Sequence, residues 1–322
     1  MRSSAYDVVI VGGGIVGAAC AAECARAGLS VAIIEASMIG GGATAAGMGH
    51  IVVMDDCEAQ FALTRYSQIL WDEISEQMPR DGEYESCGTI WVAADDEEMA
   101  EVRRKEGYYS ERGVAVEILD RQSLEEAEPN LRPGLAGGLL IPGDSVIYPP
   151  AAARFLIEQA RSHGADLFVG RPVIEIDARG VALSEGTRMA AGLTINAAGS
   201  WAGELVCGLD VQKRKGHLVI TDRYPGFARH QLVELGYLKS AHSHASDSVA
   251  FNIQPRRTGQ MLIGSSRQYG VAHPAVDSHI LSRMIRRAVE FMPGLSRLSA
   301  IRAWTGFRAA TPDNLPLIGP HP

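Results

Sequence analysis

The feature that most constrains this chain is a glycine spacing near its start. Gly12, Gly14 and Gly17 read GxGxxG, directly after the apolar run Tyr6–Val11 and directly before an alanine-rich stretch. The run is short and rich in β-branched residues, which predicts a buried strand. Residues 15–27 predict a helix closed by Gly28, and residues 30–35 a second buried strand. In such a βαβ unit the first glycine permits a tight turn, the second lets backbone approach a pyrophosphate, and the third lets helix and strand pack closely. The free N–H groups at the helix start, beginning at Ile15, then meet the phosphate charge. Glu35 ends the second strand, where a carboxylate can accept hydrogen bonds from ribose hydroxyls. A glycine triplet alone is a common turn; with strand, helix and terminal acid around it, it specifies a dinucleotide site.

A second glycine-rich stretch, residues 40–49, follows Glu35 almost at once and carries Thr44, Gly47 and Met48. A nicotinamide-binding domain continues with a crossover helix here, so the stretch reads instead as backbone wrapping the diphosphate and ribityl parts of a flavin. Beyond it, helical patterns run over 58–76, 97–112, 151–163 and 279–291. Strand-like runs occupy 89–93, 139–141, 166–169, 193–196, 217–221, 249–253 and 260–263. Helix and strand alternate at the start and again over 151–197, whereas strands cluster between 216 and 264. The fold class that follows is α/β, a Rossmann-like FAD-binding domain with an inserted antiparallel-sheet substrate domain. The expected division gives 1–80, 147–212 and 297–322 to the first, and 81–146 and 213–296 to the second.

Composition narrows the function classes. A formal net charge of −8 argues against a nucleic-acid footprint, and pairs such as Arg256–Arg257 and Arg286–Arg287 read as solvated faces. Five cysteines with no CxxC spacing suggest neither a zinc site nor a disulfide framework, and fit a reducing compartment. Cys20 and Cys24 share one helix face and read as small core residues. His242 and His244 lack an acidic or cysteine partner at useful spacing and read as loop residues, so no metal is expected. Residues 1–6 are too short for a signal peptide and no run approaches a membrane span, so the expected location is cytoplasmic. No Ser-His-Asp or Cys-His constellation stands out, which agrees with a cofactor carrying the hard chemistry.

The sequence resembles the glycine oxidase and D-amino-acid oxidase superfamily of FAD enzymes over nearly its whole length. The resemblance rests on the fingerprint with Glu35, the 40–49 stretch, the strand and turn Ile195-Asn196-Ala197-Ala198-Gly199-Ser200-Trp201, and Trp304-Thr305-Gly306-Phe307-Arg308 leading into residues 311–320. Residues 46–56 and 251–256 further resemble the flavin subunits of bacterial amine dehydrogenases, D-hydroxyproline dehydrogenase among them and, more distantly, the hydrogen cyanide synthase that oxidises glycine. The family implies a glutathione-reductase-like FAD fold. It implies that FAD is held by Gly12, Gly14, Ile15, Gly17, Glu35 on the adenosine ribose, Thr44 near the diphosphate, Gly47 and Met48 beside the flavin ring, the backbone of Val173 at the adenine, and Gly199. It also implies that Arg308 holds a substrate carboxylate, with Arg302 the competitor for that role.

Asn252 stands where glycine oxidase has a tyrosine near the carboxylate, so the substrate need not be glycine. His50 follows the flavin stretch and is a candidate for touching substrate, for supporting it from behind, or for covalent attachment to the cofactor. Trp201 and Trp304 are expected at the domain interface. The family pattern continues past the block at Pro316, whereas this sequence ends at Pro322. The expectation is either a longer protein or a version that lacks part of its cofactor site. Three readings stay open: a dehydrogenase of a small amino or imino acid that passes electrons to a partner subunit, an oxidase of glycine or sarcosine type that makes hydrogen peroxide, and a non-catalytic flavoprotein subunit.

Overall fold

The computed structural model describes residues 5–236 and 247–321; His242 and His244 lie outside them. In chain order the strands begin with β1 (Tyr6–Val11), β2 (Val31–Glu35), β3 (His50–Ile51), β4 (Thr89–Ala93), β5 (Glu117–Asp120) and β6 (Gly137–Ile141). They continue with β7 (Ser145–Val146), β8 (Asp166–Val169), β9 (Val173–Asp177), β10 (Gly180–Leu183) and β11 (Arg188–Asn196). The chain then forms β12 (Gln212–Thr221), β13 (Gln231–Glu234), β14 (Ser248–Pro255), β15 (Met261–Arg267) and β16 (Ala300–Ala310).

Among the described residues these strands build one six-stranded sheet, ordered β8-β2-β1-β11-β10-β9. Its β8-β2-β1-β11 part is parallel, and β10 and β9 turn back antiparallel. Helix α1 (Ile15–Arg26) and the helix Pro149–Ser162 cover one face, packing Ala18, Ala21, Ala25, Leu156 and Ile157 on Val8, Ile10 and Ile33. Val9, Val11, Ala32 and Ile34 fill the other face with Val181, Leu183 and Met189. Both faces of β1 and β2 are therefore covered, which is why these strands read as continuous apolar runs.

The second sheet is eight-stranded, ordered β16-β12-β15-β14-β13-β4-β6-β5, and antiparallel apart from the parallel pair β13–β4. The helix Ser278–Phe291 closes one face, with Met284, Ala288 and Phe291 packed on Phe251, Ile253 and Ile263. Phe251 and Phe291 stack with ring centroids 4.6 Å apart. The hairpin β9–β10 and the long strand β16 go beyond the sequence reading. Residues 300–310, expected with the nucleotide-binding segments, pair with β12 in the second sheet from Gln212–Ala310 to Thr221–Ala300. Their family-like motif obscured a strand whose residues are mostly half-buried and so show little apolar alternation.

Candidate functional site

The first part of the site lies at the carboxyl ends of the parallel strands, where open α/β sheets place ligands. Gly12 N–H donates to Ile34 O at 2.8 Å and Ala197 N–H to Val11 O at 2.9 Å, so the glycine turn sits where β1, β2 and β11 end. The turn needs its glycines. Gly12 has φ +110°, and a Cβ on Gly17 would stand 1.9 Å from Gly12 O. Glu35 closes the crevice: its Oε2 accepts the Gly13 N–H at 2.7 Å and its Oε1 the Ser37 N–H at 2.8 Å.

Residues 40–49 fold back onto this turn. Gly40 N–H donates to Gly13 O at 2.8 Å, and Thr44 Oγ1 accepts the Ile15 N–H at 3.0 Å. The stretch is not wholly a loop, because Gly42–Ala46 forms a one-turn helix, α2. Gly12, Gly14, Ile15, Gly17, Glu35 and Thr44 thus converge. Gly199 opens the 3₁₀ turn Gly199–Trp201 beyond β11, and Val173 opens β9 at the sheet edge. Arg171 N–H donates to Glu35 O at 3.1 Å, which brings the segment before Val173 beside the acid's strand end. No side chain of the Gly14 cap bonds the start of α1. The expectation of a free N–H at Ile15 is corrected, since Thr44 takes it; a side-chain-free turn at the start of α1 and a carboxylate at the next strand end still fit the diphosphate and ribose of a dinucleotide.

The second part of the site lies where α2 runs onto the eight-stranded sheet. Side chains two apart on a strand share a face. That rule groups Asn252 and Gln254 of β14, with Arg256 just past its end; Arg302, Trp304, Gly306 and Arg308 of β16; and Gly216, Leu218 and Ile220 of β12. All of them line a crevice in two lobes beneath Gly47 and Met48. The floor is nearly bare backbone at one point, because Gly216 and Gly306 are register partners. A Cβ on Gly306 would lie 2.2 Å from Ala46 Cβ, so α2 can rest on the sheet only there. Met48 is 8% exposed, packs on Leu218, Ile220 and Leu262, and borders both lobes.

The larger lobe, about 300 Å³, brings together His50, Asn252 and Arg308 with Gly47, Met48 and Ser265. Arg308 Nη1 donates to Ser266 O at 3.1 Å, and its guanidinium crosses Gly216, whose Cβ would stand 2.4 Å from Nη1. His50 Nε2 and Asn252 Oδ1 are buried without a hydrogen-bond partner. Leaving such groups unpaired costs about 1–3 kcal/mol each, so they call for a ligand or water. Burial lowers the His50 pKa to about 4, with the Arg308 charge adding to the effect and Gln254 opposing it. The imidazole is therefore neutral at ordinary pH, and Arg308 carries the positive charge on this side of the lobe.

Behind Arg308 the sheet is tied by a buried histidine. Ser266 Oγ bonds both the backbone N–H of His217 and its Nδ1, each at 2.9 Å, while His217 Nε2 accepts the Asp277 N–H at 2.9 Å. An accepting Nε2 fixes the neutral tautomer with the proton on Nδ1.

The smaller lobe, about 130 Å³, is lined by Gln254, Arg302, Trp304, Tyr148 and the Glu83–Arg256 pair. Arg302, the alternative carboxylate anchor, is exposed and lies over the Trp304 ring at 5.5 Å, so the two arginines serve different lobes. Trp304 joins the Met48 cluster and also walls this lobe. Trp201 is 44% exposed and touches the position of a Gly42 Cβ at 3.4 Å. Sequence reasoning missed Gln254, Gly216 and His217; the signal for Gln254 was its place two residues beyond Asn252 on a strand already recognised. Cys20 and Cys24 pack against the α1 core as expected. Among the described residues no group of three or more His, Cys, Asp or Glu could hold a metal, and no helix is long and apolar enough to cross a membrane.

A model of the FAD dependent oxidoreductase family (DAO) matches residues 7–322. The chain is 29% identical over 332 residues to a glycine oxidase of Geobacillus kaustophilus, spanning 98% of this chain and 85% of that protein. It is 27% identical over 369 residues to the hydrogen cyanide synthase subunit HcnC of Pseudomonas aeruginosa, spanning 98% and 84%. Its structure superposes on a crystal structure of glycine oxidase from Geobacillus kaustophilus with a TM-score of 0.88 at 27% identity, over 98% of this chain and 86% of the other. An L-proline dehydrogenase from P. horikoshii shares the fold, with a TM-score of 0.85 at 23% identity over 99% of this chain and 85% of that one.

Proposed function

The chain belongs to the FAD dependent oxidoreductase family, and from that premise we propose that it oxidises the C–N bond of a small amino or imino acid, with D-hydroxyproline the specific candidate. One observation carries this reading: Arg308, Asn252 and His50 meet in a single cavity under the segment that continues directly from the dinucleotide turn. In this reading the turn, Glu35 and Thr44 hold the nucleotide half of FAD, Val173 and Gly199 border it, and Gly47 and Met48 lie beside the ring. Residues 1–80, 147–212 and 297–322 serve the cofactor and 81–146 and 213–296 the substrate, with β16 contributing to both.

A bound flavin would supply the hydride acceptor for the carbon that bears nitrogen. The protein's own residues do the positioning. Arg308 can take a carboxylate through two parallel hydrogen bonds, and its backbone contact to Ser266 fixes where the guanidinium points. Asn252 presents an amide where a carboxylate or amine needs a neutral partner. His50, held neutral by burial and by Arg308, can hydrogen-bond substrate without adding charge. Covering the lobe with Met48 and α2 keeps water from the reacting carbon.

A cytoplasmic location stays part of this proposal, supported by five free cysteines. The test is anaerobic titration of the flavin-loaded protein with D-proline, D-hydroxyproline, glycine and sarcosine. Bleaching by an imino acid is expected; no bleaching by any of them leaves the non-catalytic subunit as the reading. A second reading, an oxidase that returns electrons to O₂, draws on the glycine oxidases among the relatives. Hydrogen peroxide released in step with substrate, with no added acceptor, would establish it over transfer to a partner subunit.

A further inference from the structure

The eight-stranded sheet loses its regular ladder directly behind the larger lobe. Val219 pairs with Ile263 and Lys215 with Gln268, so residues 216–218 face residues 264–267, three against four. The same stretch of β15 is out of step with β14, whose register shifts between the pairs Val249–Ser266 and Asn252–Gly264. Such bulges re-aim the groups of a strand beside a site, and Ser265 of this stretch lines the lobe.

What happens at Ser266 follows from the antiparallel pattern. Lys215 and Gln268 exchange both backbone hydrogen bonds, at 3.0 and 2.9 Å. The next such exchange belongs two residues on, between His217 and Ser266. There the His217 N–H goes to Ser266 Oγ at 2.9 Å in place of the carbonyl, and the released Ser266 O accepts Arg308 Nη1 at 3.1 Å. The hydroxyl can stand in for the carbonyl because it is held, since His217 Nδ1 donates to it as well at 2.9 Å. His217 and Gly216 are consecutive, so the imidazole lies on the face opposite the guanidinium that crosses Gly216. On the reading above that Arg308 holds the substrate's carboxylate, we propose that His217 is its positioning residue. From the back of the sheet it fixes the Ser266 hydroxyl on the strand N–H and so leaves the Ser266 carbonyl to aim the guanidinium.

The competing role for this histidine is a tether. His217 Nε2 accepts the Asp277 N–H at 2.9 Å, and Asp277 caps the helix Ser278–Phe291. A tether acts through Nε2, whereas the aim of Arg308 runs through Nδ1. Two substitutions separate the two nitrogens. The amide nitrogen of asparagine reaches the place of Nδ1 and can donate to Ser266, while the longer glutamine puts its carbonyl oxygen at the place of Nε2 and can accept from Asp277.

The test is anaerobic calorimetric titration of the flavin-loaded protein with D-proline and glycine, and with their methyl esters, which lack the negative charge. His217→Gln and Ser266→Ala should each weaken binding of the acid by about tenfold, with ester binding nearly unchanged and flavin content full. His217→Asn should stay within about twofold of wild type. In an Arg308→Ala background His217→Gln should add no further loss, because the arginine it aims is gone. The role is overturned by His217→Asn as weak as His217→Gln, by equal losses for acid and ester, or by a further loss in the Arg308→Ala background. Flavin-free protein from all three single variants, or a wild type that binds neither acid, would also overturn it. The expected pattern of binding without flavin bleaching would instead count against the oxidation reading and leave the role of His217 standing.

Discussion

The two halves of the site are built on opposite plans. The dinucleotide crevice is made by backbone, at one turn, from residues 12–44; its side-chain requirement is mainly that three positions have none, plus Glu35 and Thr44. The crevice on the eight-stranded sheet is made by side chains delivered from β3, β12, β14 and β16, spanning His50 to Arg308 in sequence. A backbone cradle binds what every dinucleotide shares, and it tolerates little change. A side-chain crevice reads what distinguishes one substrate from another, and it can be altered one position at a time.

The sharpest way to break this contrast is at Gly17. Its Cβ would stand 1.9 Å from a backbone oxygen, which cannot swing aside as a side-chain tip can. Gly17→Ala should therefore cost at least about 3 kcal/mol and yield protein without flavin. Absorbance per mole of purified chain measures it; a fully yellow variant with an unchanged melting temperature would remove the claim that the cradle depends on a missing side chain. Arg308→Ala is the counterpart on the other half. If Arg308 holds a carboxylate in a desolvated lobe, kcat/KM should fall by about 30- to 5,000-fold, equivalent to about 2–5 kcal/mol, with flavin content unchanged. Loss of flavin together with activity would mean that the two halves are not separable.

That separation also decides what could be read before the fold was known. The fingerprint, Glu35 and the 40–49 stretch lie within one short stretch of chain, and a local glycine pattern has a local structural meaning. Arg308, Asn252 and His50 could be placed in a common role only through family resemblance, because no local pattern joins them. Gln254 and Trp304 were out of reach for a clearer reason. They belong to β14 and β16, which are not neighbours; β12 and β15 lie between them, and only that strand order puts the two residues on the walls of one lobe. The hairpin β9–β10 was missed because strands of five and four residues joined by a tight turn carry too little periodicity.

Gly216 gives a smaller and more selective effect. A Cβ there would meet Arg308 Nη1 at 2.4 Å and the backbone oxygen of Ser266 at 3.1 Å; the closer obstacle is the end of a flexible side chain, so the guanidinium should shift far more than the sheet. Gly216→Ala is expected to raise KM for a carboxylate substrate by about tenfold, near 1.4 kcal/mol, with a smaller change in kcat. The same variant should leave the binding of a substrate methyl ester almost unchanged. An equal loss for acid and ester would show that the glycine supports the sheet and not the arginine.

The smallest expected change is in a titration. His50 is held near pKa 4, first by burial and next by the charge of Arg308. Arg308→Gln removes the second cause and leaves the first, so the imidazole midpoint followed by NMR should rise in the variant yet stay below the ordinary value of 6.5. The sign for stability follows from proton counting. Between about pH 4 and 6.5 the unfolded chain binds the proton that the folded chain refuses, so acidification through that window weakens the fold, and the full contribution is present only above 6.5. Raising the folded midpoint narrows the window, so Arg308→Gln should lose less stability than wild type between pH 7 and pH 5. If the midpoint does not move, the guanidinium is not electrically close to His50, and the larger lobe is not the single charged pocket on which the contrast with the backbone cradle depends.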